Sequence, residues 1–257
     1  MKSTNYLLFT ALAATVAVIS CKKEEETPVV TPPSVNANNP STPTTPADGK
    51  GFFAAVKTLT YQELPGTGLP PVEITIGIAA GGAWETQGTF VDAGIVKCDG
   101  NTLKKQTNSS YLNEIGASNT TGIEFSDGVN WDVSGAGSLG AFTTTDNQSW
   151  PSNPQISLSN TTISHSSAFT FTLTNTITGA DSVLFTVAGG SGNATLQKTV
   201  AGANSGSVAF SASEMNTVVT GAGIIQVAAY NIDDKVVGGR KIYFIKEAVN
   251  TKSVTFN

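Results

Sequence analysis

Hydrophobic side chains occupy every second position in the stretch 72–79. There Val72, Ile74, Ile76 and Ile78 alternate with Glu73, Thr75, Gly77 and Ala79. This is the period of a β-strand, in which successive side chains point to opposite faces of a sheet. The same period recurs in residues 168–174, and the first half of the chain shows no sustained period of 3.6 residues. The alternation therefore predicts an all-β fold with half-buried strands.

The composition agrees with an all-β chain. Charged residues make up 13% of the 257 residues, and 26 residues are glycine. Turns between strands need such glycines, whereas a helical bundle would need more Ala, Leu, Glu and Lys. The formal net charge is −5, and Lys and Arg form no cluster interleaved with aromatic residues. Because nucleic-acid affinity comes mainly from neutralised phosphates, nucleic acid is not an expected partner.

The segment Thr143–Ser157 separates two patterned halves, since it has no apolar period and contains Pro151 and Pro154. We therefore predict two β-sandwich-type domains, residues 51–145 and residues 154–257, each of about 100 residues. In the first we expect a turn at Asp99–Asn101 and a hairpin around Asp127-Gly128.

The second half of the sequence predicts seven short strands separated by turns. One of these turns is expected near Asp233-Asp234. Ser211 and Glu214 have the spacing of a capping box, which predicts a short helix over Ser213–Val219. This pattern of strands resembles an immunoglobulin-like sandwich. The resemblance covers about residues 154–257.

An uncharged and mostly apolar run, Tyr6–Ile19, ends just before a cysteine, Cys21. The run is shorter than the roughly twenty apolar residues of a membrane-spanning helix, and its length is typical of a signal peptide. The residues Val18-Ile19-Ser20-Cys21 resemble the lipobox of bacterial lipoprotein precursors. That resemblance implies removal of residues 1–20 and acylation of Cys21. Two or three acyl chains anchor a protein stably in a membrane, whereas one holds it marginally. An ordinary secretory signal with an incidental cysteine is the alternative.

Residues 22–26, KKEEE, follow the cysteine. They resemble the lysine-then-acidic export signal of surface lipoproteins in Bacteroidota-type bacteria. The alternative is a solvated charge run that starts a linker. We expect an outer-membrane location with the protein facing outward, and a protein facing the periplasm is the other possibility.

The segment 21–50 is predicted to be a disordered tether. Its prolines are Pro28, Pro32, Pro33, Pro40, Pro43 and Pro46. Most of its other residues are Thr, Ser, Asn, Val and Ala, so it has too little apolar surface to fold on its own. Where it is polyproline-like, it extends about 3 Å per residue.

Trp150 is the candidate ligand-binding residue. It lies beside Asp146, Asn147, Gln148 and Asn153. Exposed aromatic rings next to amides can stack on sugars and hydrogen-bond their hydroxyls. The competing interpretation, which the sequence favours, is that Trp150 fills the joint between the two domains. Trp131 shares a face with Val129 and Val133 and is expected in the core, while the side taken by Trp84 stays open.

Catalytic residues are not predicted. The chain has one histidine, His165, but no G-x-S-x-G elbow that would supply a nucleophilic serine for it. Asp127 with Asp132, and Asp233-Asp234, could serve as paired carboxylates, but Asp is common in turns for backbone reasons. Cys98 follows Val96 on a strand face and is expected to be a small buried hydrophobe. With no Cys/His zinc spacing, we predict no metal site and no cofactor.

These observations lead to one functional hypothesis and one alternative. The chain is predicted to be a membrane lipoprotein held through Cys21, acting as a non-enzymatic binding or structural module for a glycan or a cell-envelope protein. The alternative is a surface glycan-processing hydrolase that uses paired carboxylates.

Overall fold

A computed structural model of the chain describes residues 45–62, 72–86, 88–189, 195–202 and 207–257. Within these ranges the protein is mostly β, with several sheets and one short helix. The prediction of an all-β fold is therefore confirmed at this level. Residues 1–44, which hold the predicted signal peptide, Cys21 and most of the tether, lie outside the described ranges.

The largest sheet has ten strands. Its main path follows the order β14-β13-β16-β17-β1-β2-β7-β6, with β11 paired to β17 and β3 paired to β2. The strands are β1 (Gly51–Gln62), β2 (Val72–Trp84), β3 (Phe90–Val91), β6 (Lys104–Lys105), β7 (Tyr111–Leu112), β11 (Thr162–Ile163), β13 (Ser182–Ala188), β14 (Thr195–Ala201), β16 (Gly221–Val237) and β17 (Arg240–Phe256).

Two smaller sheets complete the β structure of the described residues. A four-stranded sheet has the order β5-β4-β8-β9, and a three-stranded sheet has the order β10-β12-β15. Their strands are β4 (Val96–Cys98), β5 (Asn101–Thr102), β8 (Val129–Val133), β9 (Phe142–Asp146), β10 (Ile156–Ser157), β12 (Phe169–Leu173) and β15 (Ser207–Phe210). The helix α1 (Ala212–Met215) follows β15.

Both smaller sheets pack on the same face of the large sheet, which we call the front face. Phe53 of β1 and Phe244 of β17 pack there with Trp131 of the four-stranded sheet. Farther along the same face, Phe185 of β13 packs with Phe171 of the three-stranded sheet. The front face therefore carries two hydrophobic cores, one beneath each small sheet.

The alternate side chains of the large sheet form its back face and a third apolar cluster. Its buried members are Ala54, Val56, Ile78, Leu184, Ala228, Tyr230, Ile245 and Val249. Because the strand period is two, each central strand contributes to a core on both faces.

Strands from both halves of the sequence share the large sheet. β1 pairs in parallel with β17, so that Phe53 lies beside Phe244 and Thr58 beside Val249. β16 and β17 are 17 residues long each, which corresponds to about 55 Å at roughly 3.3 Å per residue. These strands run beneath both small sheets and join them through one continuous layer. The division into domains 51–145 and 154–257 stays a prediction about folding units.

The chain enters the fold beside the first residues of β17. Gly49 N donates to the Pro46 carbonyl at 2.9 Å, and Lys50 N donates to the Lys241 carbonyl at 2.7 Å. The Tyr243 hydroxyl donates to an Asp48 carboxylate oxygen at 2.7 Å. Residues 45–50 are therefore fixed on the sheet, and the predicted tether is shorter at its C-terminal end.

Two predicted turns are wrong in position. Residues 123–127 form no strand, because Ile123 N donates instead to the Gly77 carbonyl at the edge of β2, and β8 pairs with β4 and β9. Asp233-Asp234 lie inside β16, opposite Phe244 and Tyr243. The turn that follows uses Gly238 and Gly239, whose φ values of 56° and 78° suit glycine far better than aspartate.

Two other local predictions are confirmed. β4 and β5 form a hairpin around Asp99-Gly100, with Cys98 opposite Asn101. Ser211 and Glu214 form the predicted capping box, although the helix covers only Ala212–Met215. No helix in the described part of the chain is long and apolar enough to cross a membrane.

Candidate functional site

The segment 147–155, which connects β9 to β10, passes between the two small sheets on the front face. We call this segment the strap. In the gap between the two small sheets, the side chains of Lys246 and Asn250 in β17 point toward the strap. Neither residue has any exposed surface. Lys246 lies opposite Asn231 of β16, and Asn250 lies opposite Val227. Here polar residues interrupt the apolar side chains of the two front-face cores.

These polar side chains hold the strap by its backbone carbonyls. The Lys246 ammonium donates to the carbonyls of Asp127 and Gln148, the second at 2.6 Å. Asn231 Nδ2 donates to the Ser149 carbonyl at 2.8 Å, and Asn250 Nδ2 donates to the Pro154 carbonyl at 2.9 Å. A buried carbonyl without a donor is costly, so each of these bonds fixes the strap on the sheet.

The loop 175–179 holds the strap from a second side. Ser152 N donates to the Thr178 carbonyl at 3.0 Å, and Thr178 N donates to Ser152 Oγ at 2.9 Å. Asn175 Nδ2 donates to the Asn153 carbonyl at 2.9 Å. The strap is therefore a fixed part of the fold and differs from a free linker.

Trp150 lies in the middle of the strap. Its ring is half-buried and packs on Phe125 with 5.4 Å between ring centroids. Its Nε1 donates to the Ser126 carbonyl at 3.0 Å, and the Lys57 ammonium lies 3.9 Å from the ring centroid. The structure thus gives Trp150 contacts with the large sheet and with residues 125–126. Its ligand-binding role stays a prediction.

The electrostatics of the gap are set by its two lysines. Burial lowers the pKa of Lys246, while the carboxylates of Asp146, Asp127 and Asp99 act in the opposite direction. Burial also lowers the pKa of Lys57, against the attraction of Asp127. Both ammonium groups lie near the Trp150 ring, with Lys246 at 5.4 Å. Such contacts stabilise a cation that has lost part of its water.

A separate cavity of about 350 Å³ lies at the edge of the large sheet. Its lining residues are Asn101, Thr102, Leu103, Lys104, Asn113, Glu114, Asn119 and Ile123. Asn113 is committed to the fold, because its side chain bonds Ala79 N at 2.7 Å and the Gly77 carbonyl at 3.1 Å. Glu114 is the one carboxylate of this lining, and it is paired with Lys104.

The other tryptophans are structural. Trp131 is 1% exposed, as predicted, and packs on Phe53. Trp84 is 3% exposed on the back face, where its Nε1 donates to the Gly49 carbonyl at 2.9 Å. Trp84 and Trp150 therefore lie on opposite faces of the large sheet and do not form a shared aromatic platform.

The remaining candidate residues do not converge. Cys98 is fully buried, as predicted, and burial raises the pKa of its thiol. His165 is half-buried and its backbone N–H donates to the Asn257 carbonyl at 2.9 Å. Asp132 is exposed and accepts from Thr143 Oγ1 at 3.4 Å. In the described ranges no three His, Cys, Asp or Glu residues are grouped in a way that would hold a metal ion.

Sequence reasoning missed the side chains that hold the strap. A signal was present for Asn231, because it lies between Tyr230 and Ile232 in a largely apolar strand. A polar residue in such a position is buried and needs a partner. The partner itself, a carbonyl of a distant segment, leaves no mark in the sequence.

Comparison with known protein families, with curated proteins and with solved structures found no significant match to this chain.

Proposed function

We propose that this chain is a lipoprotein of the bacterial outer membrane, anchored through acyl chains on Cys21, that acts as a non-enzymatic binding or structural module at the cell surface. The observation that carries the proposal is the place where residues 45–50 enter the fold. Residues 45–50 join the fold at the first residues of β17, beside Lys241 and Tyr243. The last residue of β17, Phe256, lies about 50 Å away along the strand at roughly 3.3 Å per residue.

This placement suits display of the far end away from a membrane. The anchor would hold the end that carries the four-stranded sheet, and the loops near Ile163 and Asn257 would point outward. The fixed strap supports the same role, since it couples the two small sheets to one layer. A rigid scaffold that presents loops at its end is a common design for recognition.

The strand order of the second half supports an immunoglobulin-like sandwich. The sheet β10-β12-β15 faces the sheet β14-β13-β16-β17, and β11 runs parallel to β17. Two facing sheets, with connections that change sheet, are features of that fold. We propose accordingly that residues 154–257 form an immunoglobulin-like domain and residues 51–145 a second β-sandwich-type domain on the shared sheet.

For the ligand we propose a glycan or a cell-envelope protein. The cavity at the sheet edge supports a glycan, because the Asn119 amide can both donate to and accept from sugar hydroxyls. Asn101 can add an acceptor, its Oδ1, since its Nδ2 already donates to the Asp99 carbonyl at 3.1 Å. Its volume lies in the lower part of the range of small-molecule sites. A paired-carboxylate hydrolase has less support, since this lining holds one carboxylate.

Acylation is tested with a Cys21→Ala variant expressed in a Bacteroidota-type bacterium. The parent protein should partition with membranes and incorporate labelled palmitate, whereas the variant should do neither. The matched control is Cys98→Ala, which keeps the lipobox and should be labelled like the parent. A Cys21→Ala protein that still carried palmitate would contradict lipidation at this residue.

A further inference from the structure

One edge of the large sheet stays open along part of β2. At Gly77 this edge is occupied, because Gly77 N donates to the Thr121 carbonyl at 2.8 Å and Ile123 N donates to the Gly77 carbonyl at 3.0 Å. Residues 72–76 pair with β1 on their other side, and among the described residues no strand pairs with them on this edge. The first part of β2 is therefore open to hydrogen bonding from another strand.

The direction of the hydrogen bonds along β2 identifies the open backbone groups. The N–H and C=O of Gly77 point away from β1, since they bond Thr121 and Ile123. In an antiparallel pair every second residue points its backbone groups to the same side. The N–H and C=O of Thr75 and of Glu73 therefore also point away from β1, and no described residue bonds them there.

The side chains of this open edge alternate between apolar and polar. Val72, Ile74 and Ile76 lie on the back face, where Val72 is 45% exposed and the two isoleucines are half-buried. Glu73 and Thr75 lie on the front face and are exposed. The alternation is symmetric about Ile74, so it has the same order in both chain directions. A second copy of this edge, running antiparallel, therefore matches apolar side chains with apolar ones and polar with polar.

We propose that two copies of the chain pair through residues 72–76 of β2, antiparallel and with Ile74 on the twofold axis. Glu73 of each copy then lies opposite Thr75 of the other, and each such pair exchanges two N–H···O=C bonds. On the back face Ile74 meets Ile74 of the second copy, and Val72 meets Ile76. Cross-strand pairs of β-branched side chains stabilise a sheet, so the large sheet continues from one copy into the next.

Charge and the length of the open edge favour this register over its neighbours. An axis at Glu73 would place two carboxylates directly opposite each other, which is destabilising. An axis at Thr75 would bring Glu73 opposite Gly77, whose backbone groups already have partners. With the axis at Ile74 the pairing covers the open edge, and the two Glu73 side chains are only diagonal neighbours. Pairing of two copies goes beyond the proposed function and does not depend on it, since it uses no ligand and no acyl chain.

Disulfide trapping in the full-length mature chain tests the pairing and its register. The background carries Cys21→Ser to remove the acylation site, and its other cysteine, Cys98, is buried. Ile74→Cys places the two thiols on the axis, in a pair whose Cα atoms lie about 4.5 Å apart, within the range of a disulfide. Val72→Cys is the matched control. It is the more exposed position, but in this register it lies about 13 Å along the strand from its own equivalent.

Under mild oxidation, Ile74→Cys should form a linked dimer at least about tenfold faster than Val72→Cys, because pairing raises the effective concentration of its two thiols. Equal rates would overturn the proposal, since linking would then come from random collisions. Faster linking of Val72→Cys would overturn it through a different register. No linking of either variant would also overturn it, because the edge would then bind another partner or none.

A second pair of variants tests the contact between Glu73 and Thr75 in the Ile74→Cys chain. Thr75→Glu places like charges opposite each other across the axis and should slow the linking, whereas Thr75→Lys places opposite charges there and should speed it. Both substitutions are at an exposed position, and circular dichroism checks that the fold is kept. Equal linking rates in these two variants would contradict the proposed register.

Discussion

Replacing Lys246 with methionine should lower the free energy of unfolding by about 2–4 kcal/mol. The ammonium group is fully buried and donates to the carbonyls of Asp127 and Gln148. Hydrogen bonds from charged donors contribute about 1.5–3 kcal/mol each, and a carbonyl left buried without a donor costs about 1–3 kcal/mol. Removal of a buried charge offsets part of this loss, since the charge no longer has to be desolvated. Urea unfolding followed by circular dichroism gives the value.

The matched control is Lys104→Met, which removes an ammonium group whose side chain is 60% exposed and paired with Glu114. Exposed pairs contribute about 0–1 kcal/mol, so this variant should stay within that range of the parent. If Lys246→Met were as stable as Lys104→Met, the carbonyls of Asp127 and Gln148 would have other donors and Lys246 would not hold the strap as described.

Replacing Glu247 with glutamine should remove a fall in stability that the parent shows as the pH rises. Burial raises the pKa of the Glu247 carboxyl well above its ordinary value of 4.5. Between that value and the raised one, the folded chain binds a proton that the unfolded chain has released. The stability of the parent therefore decreases through this window, by up to about 1.4 kcal/mol per pH unit. Below about pH 4.5 the two chains should show equal pH dependence, and above it the glutamine variant should become the more stable.

Glu214→Gln is the control with the opposite sign. Hydrogen bonds from the Ser211 backbone, from Lys198 and from the Ser211 hydroxyl lower the pKa of Glu214 to about 2. This carboxylate therefore stabilises the folded chain above about pH 4.5, and its contribution is lost as the pH falls toward 2. Urea midpoints at several pH values measure both variants. Parallel stability curves for the parent and for Glu247→Gln would show that Glu247 is hydrated or paired in solution.

The sequence predicted several features that depend on neighbouring residues, although the local turn signals at Asp127-Gly128 and Asp233-Asp234 were misleading. Alternation in residues 72–79 marked a strand, the Ser211 and Glu214 pair marked a helix start, and Asp99-Gly100 marked a hairpin. In each case the residues that decide the structure lie within a few positions of one another. Local propensity and side-chain period carry enough information at that range.

Features that join distant segments were not readable. The parallel pairing of β1 with β17 brings together residues about 190 positions apart, such as Phe53 and Phe244, and no turn connects them to fix the register. Lys246 and Glu247 look like a charged pair at a strand end. In the structure they point to opposite faces of a central strand, and both are buried. The sequence supplied the candidate Trp150 and favoured a place between the two predicted domains, but it could not identify Phe125, Ser126 and Lys57 as its contacts.

The most direct test of the proposed display is cysteine labelling on intact cells with a membrane-impermeant maleimide. The parent provides a clean background, because Cys98 is buried and Cys21 is acylated under the proposal. Ser167→Cys places a thiol in the exposed loop next to His165, whose backbone bonds the C-terminal Asn257 at the far end of β17. The account predicts labelling of this variant on intact cells and no labelling of the parent. Labelling that appeared only after the outer membrane was permeabilised would contradict surface display and place the protein on the periplasmic side.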